Sequence, residues 1–364
     1  MERGWRWLWG RCPGIGRSRL LALEALAASH GVSLAHLWTW PLARLADNLR
    51  WPAAVMHQLD GYRRCCGMEP DLSIPMEALM PGDQAWPAPL DALETPPLCL
   101  FHRGDSALLP VLQRRQAVAV VGTRSPSVHG LSMADRLGRA LAQAGWPVLS
   151  GLAEGIDAAV HRGCLAEDGA PIAVLGTHLD RVYPSHHRDL QATIARSGLL
   201  LSERFPHDVP RPGHFAARNR LIVALASALV IVECPERSGA LISARHAEAL
   251  NCPIWVVPAD AGRRSARGSN ALLGPRAAPL LTADSLVAQL GPGPLGARDC
   301  LEPLLAPQDQ IVDQDLKGAL ENGATLDELQ RGLGRPVGAL SRELVQLELQ
   351  GLVVCESGQR WRSL

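Results

Sequence analysis

Arg218, Asn219 and Arg220 stand in a row at the head of an apolar helix, and Arg237-Ser238-Gly239 opens the next one. Two earlier loops repeat the theme. Gly122-Thr123-Arg124 follows one apolar run, and Ser150-Gly151-Leu152-Ala153-Glu154-Gly155-Ile156-Asp157 follows another. Cations, hydroxyls and glycine amides gathered at helix starts suit an anion, because the first turn of a helix presents unpaired N–H groups and a partial positive charge. No paired carboxylates and no nucleophile–base pair accompany them, so the pattern implies binding and assigns no catalytic residue.

Each candidate has a role and a plainer alternative. The loop Gly122-Thr123-Arg124 is neither G-x-G-x-x-G nor a lysine-bearing P-loop. That disfavours a dinucleotide or a triphosphate and leaves no cofactor expected. Its arginine suits a phosphodiester held from outside, or else a solvated turn. One of Arg218 and Arg220 is expected to reach the ligand while the other pairs with an acid such as Glu233. Phe215, one turn before Asn219, either stacks a base or fills the core. Ser238 reads as a helix N-cap that leaves neighbouring amides for a phosphate. Asp157 and His161 share a helix face, and the expected part is structural: Asp157 in the first turn, His161 hydrogen-bonding inward to fix the loop. The adjacent His186 and His187 diverge on any helix, so no metal site is expected. Pro13-Gly14-Ile15-Gly16-Arg17 precedes a helix in the manner of a helix-hairpin-helix loop, or forms a plain turn.

The elements that must position these residues follow a strand–loop–helix rhythm from residue 117 onward. Ala117–Val121, Val148–Ser150, Ile172–Leu175, Leu199–Ser202, Leu229–Glu233 and Ile254–Val257 are short apolar runs. Helix-length stretches such as Leu131–Ala144, Ile156–Glu167 and Leu241–Leu250 separate most of them. Apolar strands alternating with helices predict a parallel sheet covered on both faces, an α/β Rossmann-like doubly wound domain over 101–290. Residues 1–68 read as a small helical domain and 69–100 as a Pro-rich connector. Residues 291–309 read as a linker. The tail, 310–364, reads as a winged helix: helices over Gln310–Leu320, Leu326–Gly332 and Pro336–Gln350, then a hairpin through Val353, Val354, a Gly358 turn and Trp361.

Composition narrows the partners. The 364 residues carry no net charge, with 36 basic and 36 acidic side chains. The distribution is uneven: residues 101–290 hold 20 Arg against 15 Asp and Glu, whereas 301–364 are net negative by four. All the basic residues but Lys317 are arginine, as a GC-rich genome would give. A winged helix so acidic is expected to face protein rather than DNA, since phosphate affinity needs several cations. Nine cysteines without a C-x-x-C pair argue against zinc and a disulfide framework and favour a reducing cytoplasm. No run of eighteen apolar residues occurs, so no membrane span is expected.

The order of these motifs resembles the DNA-processing protein A family (DprA, also called Smf). The likeness spans Val118–Val287. It includes Gly122-Thr123-Arg124, the Ser150-to-His161 motif, Ala173–Gly176 through Asp180 and Tyr183-Pro184, and Ser202-Glu203. Phe215-x-x-Arg218-Asn219-Arg220, Glu233, Ser238-Gly239-x-Leu241-Ile242-x-Ala244 and Gly268-x-Asn270 complete it. Departures are the threonine in place of the family's serine at Thr123, His129 for an aromatic, Pro258-Ala259 for Pro-Gly, and Arg276-Ala277 for Gly-Ala. Arginines such as Arg237, Arg263 and Arg264 stand where the family places lysines.

The resemblance implies a helical (SAM or helix-hairpin-helix-like) N-terminal domain, a Rossmann-like centre and a winged helix. It further implies sequence-tolerant binding of single-stranded DNA, loading of RecA in natural transformation and recombination, and a homodimer formed through the central domain. On that reading Arg124, Arg218 or Arg220, and Arg237 meet phosphates. Gly122, Thr123, Ser150, Gly151, Asn219, Ser238 and Gly239 complete the rim, and Phe215 is the stacking candidate. Two other classes compete. A nucleotide phosphoribohydrolase of the same superfamily would need Pro-Gly-Gly-x-Gly-Thr-x-x-Glu where this chain has Pro235-Glu-Arg-Ser-Gly-Ala. A transcription regulator would read duplex DNA through the winged helix.

Overall fold

The computed structural model describes residues 2–206, 208–296, 314–321, 323–349, 353–356 and 360–363. Two compact units divide the chain, Met1–Arg298 and Asp299–Leu364.

The first unit begins with helices α1 (Glu2–Arg11), α2 (Arg17–Ser29), α3 (Leu34–Thr39), α4 (Leu42–Leu49) and α5 (Ala53–Cys66). They surround a core of Leu8, Trp9, Leu23, Leu37, Trp38, Leu45 and Leu59. Trp7 leaves that core and packs instead on Phe101 and Phe205, joining the helices to the sheet that follows. Residues 69–100, expected as a connector, contribute structure of their own. Strand β1 (Ala78–Leu79) pairs antiparallel with β2 (Leu100–Gly104), which pairs antiparallel with a later strand, and Trp86, Leu90 and Leu93 pack on the sheet. Proline tolerates an edge, where a lost N–H costs little, which explains how so Pro-rich a passage borders a sheet.

Short helix α6 (Leu109–Gln113) leads into the alternating part. Its strands and helices are β3 (Val118–Val121), α7 (Val128–Gln143), β4 (Val148–Ser150), α8 (Ile156–Ala166), β5 (Pro171–Leu175), α9 (Arg188–Ser197) and β6 (Leu199–Ser202). Then come α10 (Pro212–Ala224), β7 (Ala228–Ile231), α11 (Gly239–Ala249), β8 (Ile254–Val256), α12 (Arg267–Asn270), β9 (Ala278–Pro279) and α13 (Ala283–Leu290). The nine strands lie in the order β1-β2-β6-β5-β4-β3-β7-β8-β9, parallel from β6 to β9. Residues of the central strands are buried on both sides, as the apolar runs require. Alternation decides which helix covers which face. Val118 and Val120 meet α7, α8 and α13, whereas Ala119 and Val121 meet α10 and α11.

The strand order fixes where a ligand can sit. From β3 the chain winds outward through β4, β5 and β6; α10 then carries it back to β7 on the other flank of β3. The loops after β3 and β7 therefore diverge to opposite faces and leave a crevice at their carboxyl ends.

The second unit contains α14 (Gln314–Glu321), β10 (Ala324–Thr325), α15 (Leu326–Leu333), α16 (Val337–Leu349), β11 (Val353–Glu356) and β12 (Arg360–Ser363). Its sheet runs β10-β12-β11, all antiparallel, over a core of Leu316, Leu320, Leu329, Leu340, Leu344 and Leu347. A capping box starts α15: Thr325 accepts from the Glu328 N–H, and the Glu328 carboxylate accepts from the Thr325 N–H. Three helices with a small antiparallel sheet form the expected winged helix, with β10 as an addition that two residues of sequence could not announce. Gly358 and residues 297–309 of the expected linker lie outside the described residues.

Candidate nucleic-acid interface

The crevice between the β3 and β7 loops opens into a cleft of about 350 Å³. Gly122, Thr123 and Arg124 form one wall, Arg237, Ser238 and Gly239 another, and Phe215, Arg218 and Asn219 of α10 a third. Three segments distant in sequence thus converge at one place. Arg124 and Arg237 are exposed, and neither forms an ion pair among the described residues. Ser238 caps α11 by accepting from the Ala240 N–H at 3.2 Å. Asn219 donates to the Gly239 carbonyl at 3.1 Å, tying α10 to the start of α11.

Beneath this rim lies a buried polar shelf. Arg218 is 4% exposed. Its Nη1 donates to the Gly151 carbonyl at 2.5 Å and to the Val174 carbonyl, so one guanidinium bridges the ends of β4 and β5. Burial pulls its pKa down to about 10, with nearby Asp157 opposing the fall and Arg124 adding to it. Asp157 Oδ2 accepts from the N–H groups of Gly151 at 3.1 Å and Ala153 at 3.4 Å; burial raises its pKa against the pull of Arg218. Gly151 is required by this packing, because a Cβ there would overlap the Arg218 guanidinium.

Several expected roles resolve on this geometry. Arg218, not Arg220, lines the cleft, but from its floor and with donors directed at backbone carbonyls. Arg220 pairs with Glu203 at 2.7 Å on the other side of α10, and not with Glu233. Glu233 instead accepts from the Ser127 N–H at 3.1 Å and hydroxyl at 2.8 Å. Helix α7 begins at Val128, before Gly130 rather than after it, because Ser127 supplies the cap. Ser150 and Gly151 lie below the rim: the Ser150 hydroxyl is fully buried and donates to the Val120 carbonyl at 2.6 Å. His161 does not tie the loop. Both its ring nitrogens are buried without a hydrogen-bond partner, and burial lowers its pKa to about 3. The tie is His187, whose Nδ1 meets the Leu152 carbonyl at 3.1 Å.

Phe215 stands at the cleft mouth between Tyr183, with ring centroids 4.7 Å apart, and the Arg124 guanidinium 5.8 Å from its centroid. Tyr183 is 47% exposed and is a second aromatic surface that spacing alone does not single out. Ser243 is a further residue that the sequence does not flag. It lines the cleft one turn into α11, is fully buried, and its hydroxyl has no partner. Among the described residues no group of three or more His, Cys, Asp or Glu is placed to hold a metal.

Comparison with known proteins identifies the frame. The family model for DNA recombination-mediator protein A matches residues 77–291, and that for the DprA winged helix domain matches 303–359. The chain belongs to the DNA recombination-mediator protein A family. Protein Smf of Synechocystis is 30% identical to it, with 98% of each chain covered. The putative DNA processing protein DprA of Mycobacterium tuberculosis is 36% identical over 74% of this chain and 69% of its own. Among solved structures, DprA of Streptococcus pneumoniae superposes with a TM-score of 0.64 at 26% identity, covering 79% of this chain and 97% of its own. DprA of Helicobacter pylori, described for its single-stranded DNA binding mode, superposes at 0.52 with 31% identity, covering 59% and 95%. The names of these relatives describe DNA processing and recombination mediation. Ser243, one turn into α11, stands where the phosphoribohydrolase signature needs its glutamate. No helix among the described residues is long and apolar enough to cross a membrane.

Proposed function

We propose that the cleft binds single-stranded DNA by its backbone. The observation that carries this reading is the pair Arg124 and Arg237: exposed, without an acidic partner among the described residues, and lining one cleft beside the start of α11. Cations beside the positive end of a helix suit a phosphate, and contacts to phosphate carry no sequence information. Phe215 and Tyr183 supply π surfaces to whichever base adjoins, so binding tolerates any sequence. The Helicobacter pylori relative's single-strand binding supports the same ligand. Family membership supports the wider role: delivery of the bound strand to RecA during recombination and natural transformation, by a cytoplasmic homodimer joined through the central domain.

Fluorescence anisotropy of labelled single- and double-stranded oligomers across salt tests the proposal. Single strands are expected to bind more tightly, with log K falling as log salt rises. Arg124→Ala should weaken oligo-dT about tenfold and flatten the salt slope by about 0.7 for each phosphate that the side chain neutralises. Unchanged binding by that variant, or a preference for duplex, would sink it.

A further inference from the structure

The glycine loop at residues 13–17 takes no part in the cleft just described, yet the other arginine of α10 leads to it. Arg220 donates to Glu203 at 2.8 and 2.7 Å and to the Thr95 carbonyl at 2.9 Å. These groups floor a second, larger cavity of about 530 Å³ between the N-terminal helices and the sheet. Arg11, Gly14, Gly16, Arg17 and Ser18 form its opposite wall, and Arg204 stands beside Arg220.

Charge and donors in this cavity are in surplus. Glu203 is bracketed by Arg204 at 2.8 Å and Arg220 at 2.7 Å, so the trio keeps one net positive charge. Arg11 and Arg17 form no ion pair among the described residues. Glu94 and Asp208 are the two other acids on the wall, so four arginines face three carboxylates and one net positive charge remains. Asp208 also accepts from the Phe205 N–H at 3.0 Å, and the Arg11 guanidinium lies over the Trp7 ring. Arg19 donates to the Gly14 carbonyl, occupying the loop's own acceptor, while the start of α2 has no side-chain cap. Guanidinium groups that outnumber the carboxylates, set among the apolar surfaces of Ile15, Leu21 and Leu98 in an open cavity of ligand size, suit a phosphodiester whose sugars and bases rest on those surfaces.

We propose that this cavity is a second contact for the backbone of the DNA strand held at the β3–β7 cleft, with Arg11 and Arg17 as its phosphate ligands. The inference rests on the single-strand reading above. Helix α10 is the divide between the two stations: Arg218 floors one and Arg220 the other. A strand long enough to pass the divide gains contacts that a short one cannot reach.

Length dependence therefore tests it. The full chain and its R11Q/R17Q variant are titrated with dT6 and dT20 at several salt concentrations. The variant is expected to bind dT20 about tenfold more weakly, with a salt slope flatter by about 1.4, and to bind dT6 as the parent does. A second variant, R17E, places an acid in the first turn of α2, where the helix dipole favours it, so loss of dT20 binding there is not loss of fold. An unchanged affinity for dT20, or an equal fall on both oligomers, overturns the proposal. A parent protein that binds neither oligomer overturns the single-strand reading itself, and Arg124→Ala separates the two. A variant at Arg124 should weaken dT6 and dT20 alike.

Discussion

Arg218 and the pair Arg124–Arg237 border the same cleft and live in opposite regimes. Arg218 is sealed beneath the rim with its donors on the Gly151 and Val174 carbonyls. Arg124 and Arg237 are exposed and pair with no acid among the described residues. A guanidinium whose donors are committed to the protein builds a site, and one whose donors are free binds with it. The motif Arg-Asn-Arg thus divides its labour along one helix, since the third member, Arg220, faces Glu203 on the far side.

The largest effect should come from the buried member. Arg218→Met removes the bridge between β4 and β5 and leaves two buried carbonyls and Asp157 without their cation. Breaking one partner out of a buried charged network costs about 3–5 kcal/mol. Urea denaturation should show that loss, whereas Arg124→Ala should shift stability by no more than about 0.5 kcal/mol. Arg218→Lys should recover only part of it, because an ammonium lacks the fork that spans two carbonyls. A stable Arg218→Met protein would erase the distinction between shelf and rim.

A smaller effect on the same shelf depends on pH. His161 has a folded pKa of about 3 against 6.5 for the free side chain, because burial disfavours its charge. Between these values the unfolded chain takes up a proton that the native protein refuses, so stability falls as pH falls. From pH 6.5 to pH 5 this one site accounts for about 2 kcal/mol. His161→Leu should remove that acid-side slope, read as the difference between the two proteins in denaturant titrations at pH 7 and pH 5. The raised pKa of Asp157 works in the opposite sense and is common to both proteins. Parallel curves would show that His161 is not titrating from a dry site.

How far the sequence can be read follows from the range of the interactions involved. Periodicity is local, and the six apolar runs of the central domain form strands within a residue or two of their expected bounds. Helix starts are legible where a single side chain decides them, as at Ser238; at Ser127 the cap competes with Gly130, a glycine that looks more like a loop. Which arginine faces which acid is not legible. Arg220 meets Glu203 from a neighbouring strand end, and no spacing rule connects residues seventeen apart across a loop. Ser150 and Gly151 do neighbour the site, but their depth depends on Asp157 and Arg218 consuming the loop's polar groups. Nothing local marks Ser243 as a cleft residue or Tyr183 as the ring that meets Phe215; only the closing of the sheet brings them there.

Ser243 offers the finest test of rim against shelf, since it belongs to neither by its bonding. Its hydroxyl is as buried as the shelf but, unlike Arg218, has no partner inside the protein. A buried hydroxyl without a partner is a small liability, so Ser243→Ala should leave stability unchanged or raise it by up to about 1 kcal/mol. If the hydroxyl is held in reserve for a phosphate at the start of α11, the same substitution should weaken dT6 several-fold, about 1 kcal/mol. Ser243→Thr, which keeps the hydroxyl, should bind as the parent does. Gain in stability with loss of affinity is the signature of a group kept for a ligand. Loss of stability without change in affinity would place Ser243 with Arg218, as part of what holds the cleft open rather than of what fills it.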